Sequence, residues 1–163
     1  MSDALPGRSW QKKVDVHFKL TWLNCLWLIV PLLIWNLVYG PKLTDPRITS
    51  DTNSPGWLLI AENITRMAVF ILPLLIPLQI EQPLGKAGLA IYIIGTLIYF
   101  VSWLPLLFAP GSAWSNSPPG LLAPALTPFL CFLGIALIGH SWTYGVLAAA
   151  FIAIHASHGI QNL

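Results

Sequence analysis

The stretch "WLLIAENITRMAVFILPLLIPLQI", residues 57–80, decides how this chain is read. It is apolar at most positions and long enough to cross a ~30 Å hydrocarbon core, which takes ~20 residues as a helix. Yet Glu62, Asn63 and Arg66 stand in its first half. Glu62 and Arg66 are four apart and share one helical face, with Asn63 beside them. Counting from Trp57 at ~1.5 Å per residue, Glu62 sits ~7 Å deep and Arg66 ~13 Å deep. The second depth is close to the midplane of the bilayer. A lone arginine there costs at least ~2.5–3.5 kcal/mol on insertion scales, so it must face protein or water rather than lipid.

The rest of the chain agrees with a lipid setting. Of 163 residues, 56% are hydrophobic and only 9% charged, whereas a soluble domain carries about 25% charge. The reading is an all-α integral membrane protein, one compact bundle of about five transmembrane helices. The spans fall at 20–39, 57–80, 88–108, 121–139 and 143–160, with 1–19 as a cytoplasmic or interfacial segment. Within that segment Trp10, Val14 and Phe18 share a helical face and Lys12, Lys13 and Lys19 are disposed toward lipid phosphates. The run from Leu20 to Tyr39 is too long for the apolar core of a signal peptide, about 7–15 residues, and no A-x-A cleavage pattern follows, so it reads as a retained span.

Between the spans, 40–56 is polar and turn-rich, 81–87 ("EQPLGKA") reads as a short loop, 109–120 is rich in Pro, Gly and Ser, and His140-Ser141-Trp142 is a tight hinge. The first four spans carry Pro31; Pro73 and Pro77; Pro105; and Pro124 and Pro128. Each proline frees a backbone carbonyl that must find a partner inside the protein. The two in the fourth span leave its first part open to unwinding.

Orientation follows from the basic residues. Arg8, Lys12, Lys13, Lys19 and Lys86 fall on the N-terminal side, against Lys42 and Arg47 on the other. The N-terminus is therefore expected in the cytoplasm, in a multi-pass protein of a bacterial plasma membrane. Trp22 and Trp142 would then mark the inner interface, and Trp35, Trp57, Trp103 and Trp114 the outer one.

The same depth arithmetic places Tyr99 and His155 at the level of Arg66. It places Trp35, Asn36, Trp103 and His158 at the level of Glu62. Polar groups thus concentrate in one half of the bundle, with Asn24 and Tyr92 the main exceptions in the other. Two interpretations compete. In the plainer one Glu62 and Arg66 satisfy each other and fix helix positions. In the other, Glu62, Arg66 and His155 are catalytic groups lining an outward-facing pocket, with Asn63, Trp35, Tyr99, Trp103 and His158 as binding residues. His158 also reads as a plain packed or terminal histidine. His155 and His158 are three apart, but zinc needs three or four ligands and Glu62 is the only carboxylate at that depth, so no metal and no cofactor is expected.

Other features exclude function classes. No phosphate-binding glycine loop, dinucleotide fingerprint or G-x-S-x-G is present. No lysine lies within a span, which removes a retinal Schiff base. Cys25 and Cys131 fall in apolar runs outside any C-x-x-C and read as buried packing. With a net charge of +2 and no basic run among aromatics, nucleic acid is not expected as a partner. The last span carries a small-residue stripe, Gly145, Ala149, Ala153 and Ala156, expected to pack in the monomer or, failing that, in a homo-oligomer.

Three functions fit. The first is a small membrane enzyme acting on a lipophilic substrate, with Glu62 as acid/base, Arg66 holding an anionic group and His155 relaying protons. The second is a binding or transport protein using the same pocket without chemistry. The third is an accessory subunit of a larger membrane complex.

Overall fold

The computed structural model describes residues 23–43, 45 and 54–161. Expectations for the N-terminal interfacial segment and for Trp22 lie outside them. The described chain is all-helical, its one extended feature being an isolated bridge between Asn24 and Pro77. The helices are α1 (Leu26–Tyr39), α2 (Gly56–Ile71), α3 (Pro83–Phe108), α4 (Pro118–Leu126), α5 (Pro128–Ile138) and α6 (Trp142–Gln161). A 3-10 turn extends α1 over Gly40–Lys42 and another extends α2 over Leu72–Leu75. α4 and α5 form one rod that breaks register at Thr127, before Pro128.

Four segments are long and apolar enough to cross a membrane: Gly56–Leu75, Pro83–Phe108, Pro118–Ile138 and Trp142–Gln161. By helix composition the chain is a small multi-pass membrane protein. α1 has 14 residues and falls short of that length even with its 3-10 turn. The reason lies at its start. Leu23 and Cys25 pair in extended form with the chain after α2, through Cys25 N–H to Ile76 O at 2.9 Å and Leu78 N–H to Leu23 O at 3.2 Å. Residues 76–80, expected as the end of a helix, are therefore not helical, because Pro73 and Pro77 remove two ladder donors in succession. Residues 83–87, expected in a loop, belong instead to α3, with Pro83 at its first position, where a missing N–H costs nothing.

α3 is the central helix. Gly85, Gly88, Tyr92, Gly95, Tyr99, Trp103 and Leu106 are buried at steps of three or four, a narrow seam with lipid-suited side chains outside it. Its closest partner is α5. A Cβ built on Gly88 would stand 2.8 Å from the Gly134 carbonyl, and one on Gly134 would stand 2.7 Å from the Gly88 carbonyl. Only glycine on both helices permits that approach. The expected stripe on α6 does not serve this purpose. Ala149 and Ala153 are exposed, and α6 buries Tyr144, Ala148, Phe151, Ile152 and Ala156 instead. Of the stripe only Ala156 is buried, because the inward face is the one that carries Tyr144, Ala148, Phe151 and Ile152.

The polar groups at this tight end are consumed by the backbone. Tyr144 donates to the Val69 carbonyl at 3.2 Å, the acceptor that Pro73 strands, and Tyr92 donates to Leu28 O at 2.7 Å. Asn24 accepts from Leu26 N–H at 3.0 Å, which satisfies one free donor at the start of α1. α5 stops in a Schellman arrangement, with Ser141 N–H to Ala136 O and His140 N–H to Leu137 O. His140 takes the left-handed position there, at φ 49°, a place usually held by glycine. The tight hinge expected between the last two helices is this turn.

Candidate functional site

The other end of the bundle is built around Glu62. On α2 the buried positions Leu58, Glu62 and Val69 define the face that meets α6. α6 runs antiparallel to α2, so Val69 opposes Tyr144 and Glu62 opposes the turn holding His155 and His158. Those histidines are three apart and share one face with Phe151, whose ring stacks on His155 at 5.5 Å and 9°.

The carboxylate of Glu62 is saturated with donors. Oε1 accepts from Nδ1 of His155 at 2.9 Å and from the Arg66 guanidinium, and Oε2 accepts from Nδ1 of His158. An ionised carboxylate only accepts, so both imidazoles carry a proton on Nδ1. Exposure separates the four side chains. Glu62 is 2% exposed, His158 13%, His155 34% and Arg66 41%. The carboxylate is sealed within its donors, while the imidazole of His155 and the guanidinium of Arg66 reach past it. His158 stands in the last turn of α6 and is packed against Glu62.

These groups border a cavity of about 430 Å³ to which every helix contributes. Leu32 and Asn36 enter from α1, Tyr99 and Trp103 from α3, Leu122 from α4 and Phe132 from α5. Its walls are chiefly apolar. Among the described residues no serine, threonine, cysteine or lysine lines it, so its reactive groups are carboxylate, imidazole, guanidinium and phenol. Asn36 donates to Tyr99 Oη at 2.7 Å and to its own helix at Leu32 O. Thr65 turns its hydroxyl back to Ala61 O at 2.8 Å and Ser102 to Tyr99 O at 2.6 Å, so neither is offered to the cavity.

Of the residues singled out in the sequence, Glu62, Arg66, His155, His158, Tyr99 and Trp103 line one cavity. Trp103 is 5% exposed and meets Tyr99 edge-on at 5.9 Å, which removes it from the lipid-facing belt. Asn63 is exposed and Trp35 stacks on Phe100 at 4.2 Å, and neither lines the cavity. Asn63 follows Glu62 by one residue, and ~100° of helical rotation carries it off the buried face. Phe151 and Leu122 escaped notice in the sequence. Phe151, four before His155, carried a readable signal; Leu122 carried none among so many leucines. Among the described residues no group of three or more His, Cys, Asp or Glu has the geometry to hold a metal ion. The chain matches no family model, no curated protein and no solved structure, so its own geometry carries the functional reading.

Proposed function

We propose that this protein is a small membrane enzyme that carries out proton-transfer chemistry on a lipophilic molecule held in the cavity. The observation that carries this reading is the contact of a buried Glu62 with Nδ1 of His155, on a cavity wall that is otherwise apolar. Fixing the proton on Nδ1 leaves Nε2 of His155 as a base, held in one orientation by the carboxylate and by the Phe151 ring. Glu62 therefore acts through His155 as its positioning residue, rather than meeting the substrate as an acid/base itself. Arg66 holds an oxygen-bearing group of the substrate, and Tyr99 stands across the cavity as a second hydrogen-bonding group. The imidazole and phenol of the wall suit the movement of protons.

In the membrane, α1 makes the fifth crossing with the N-terminus in the cytoplasm, and the cavity lies in the outer half of a bacterial plasma membrane. The basic residues support this orientation: Lys86 is on the side of the tight end and Lys42 on the side of the cavity. A reporter active only in the cytoplasm, fused after Leu163, should then stay silent.

The catalytic reading is tested by incubating wild type and His155→Gln, in nanodiscs, with total lipid extract from the host membrane. Mass spectrometry follows which species disappear. Wild type should convert at least one species that His155→Gln leaves untouched, at matched melting temperature. A second reading, binding or transport without chemistry, is favoured by the apolar walls. It predicts that a species is retained by the wild type, unconverted.

A further inference from the structure

We infer that the ligand of this cavity is a single-chain amphiphile with an anionic oxyacid head, a carboxylate or a phosphate monoester, seated against Arg66 and Tyr99. This rests on the lipophilic-ligand reading above and adds to it the chemistry of the head.

Size limits the tail. A volume of about 430 Å³ stands near the lower end of the ~300–1,000 Å³ span of ligand cavities. One alkyl or prenyl chain matches that volume, among Leu32, Leu122 and Phe132.

The direction of the hydrogen bonds sets the head. The one carboxylate at the cavity, Glu62, has both oxygens engaged by Arg66, His155 and His158, so a ligand does not meet its charge directly. Arg66 is bound to it through Nη2 alone. The remaining guanidinium N–H groups have no acceptor among the described residues, and the side chain is 41% exposed. Planar and doubly donating, they match a carboxylate or phosphate. Tyr99 accepts from Asn36 at 2.7 Å, which leaves its own hydroxyl proton to donate. Against these donors stand two acceptors, the Asn36 amide oxygen and Nε2 of His155, suited to the proton of a partly protonated acid. A cationic head would find no accessible charge to pair with, and a plain alcohol would leave most of the donors unsatisfied.

The test uses the protein in phosphatidylcholine nanodiscs, with empty nanodiscs as the partition blank. Saturable binding is measured for dodecanoate, dodecyl phosphate, dodecanol, dodecyltrimethylammonium and inorganic phosphate. Both acids should bind at least tenfold tighter than dodecanol, and inorganic phosphate alone should not bind measurably. Whichever acid binds tighter identifies a fatty-acid or a phospho-monoester source. Arg66→Gln should erase the preference for acids. Tyr99→Phe, which keeps the ring, should weaken the acids several-fold and dodecanol by less; this second variant keeps the test decisive where Arg66→Gln fails to fold. Equal binding of dodecanol, or tighter binding of the cation, overturns the inference while the lipophilic-ligand reading stands. Absence of saturable binding by every amphiphile, in protein that still melts cooperatively, overturns both.

Discussion

The two ends of this bundle use polar residues in opposite ways. At the end carrying Gly88, Gly134 and His140, the polar side chains bond chiefly to the backbone: Tyr144 to the carbonyl that Pro73 strands, Tyr92 to Leu28 O, Asn24 to the Leu26 N–H. Helices there touch through glycine. At the end carrying Glu62 the helices part around a cavity, and the polar side chains bond to one another and face the space between them. In lipid an unsatisfied polar group is costly anywhere. A cluster held together but still offering donors to a cavity is therefore the arrangement expected of a ligand site, while a polar group spent on the backbone is expected of a scaffold.

The largest effect should come from forcing the scaffold apart. Gly134→Leu places a side chain where even a Cβ would stand 2.7 Å from the Gly88 carbonyl and from Tyr92. Overpacking commonly costs ~1–3 kcal/mol, and here the obstacle is backbone, so loss of the folded form in detergent is expected. A wild-type melting temperature for Gly134→Leu would mean that α3 and α5 are not in this contact.

At the cavity end the carboxylate should matter more than its cation. Glu62→Ala leaves Arg66, His155 and His158 without their shared acceptor and should cost up to ~3–5 kcal/mol, the range for breaking a buried pair. Arg66→Ala leaves Glu62 with two imidazole donors, and Arg66 is 41% exposed, so about 1 kcal/mol is expected. Thermal melts of the two variants side by side check the ranking. The reverse order would make Glu62 and Arg66 a simple ion pair with the histidines as bystanders.

Smaller shifts sharpen the scaffold half. Tyr144→Phe strands the Val69 carbonyl and should cost ~0.6–1.7 kcal/mol, the scale of hydrogen bonds measured inside membrane bundles. His140→Gly should raise stability, because glycine adopts φ 49° without the ~1–2 kcal/mol that an L side chain costs there. The gain is partly offset by the greater freedom of glycine in the unfolded chain. A fall in melting temperature would show that the His140 side chain is itself needed.

Much of the bundle was legible because long apolar runs and turn residues mark helices without reference to tertiary contacts. Glu62 and Arg66 were legible for a related reason: a charge at depth admits few environments. Depth also brought Tyr99, His155 and His158 to the right level. What depth arithmetic cannot supply is rotation about each helix axis. Asn63 and Trp35 stood at suitable heights yet turn away from the cavity, and Ala149 and Ala153 turn outward although small residues suit a tight seam. The contact that does use small residues, Gly88 on Gly134, lay unnoticed, since isolated glycines in two separate spans form no local pattern. The end of α2 was misread because Pro73 and Pro77 act together, and the pairing of residues 23–25 with 76–78 depends on contacts ~50 residues apart.

The most direct measurement compares Glu62→Gln with wild type for both stability and small-molecule cargo. The amide keeps the shape of Glu62 but offers one acceptor oxygen in place of two, so it no longer holds His155, His158 and Arg66 together. Melting temperature is read by thermal scanning in mild detergent, and the species carried by the folded fraction are read by native mass spectrometry. If the cluster is a ligand site, the folded Glu62→Gln protein should lose a lipophilic species that wild type carries, with His155→Ala losing it too. If instead Glu62→Gln melts much earlier while its folded fraction keeps the same cargo as wild type, the cluster serves only to hold helices together.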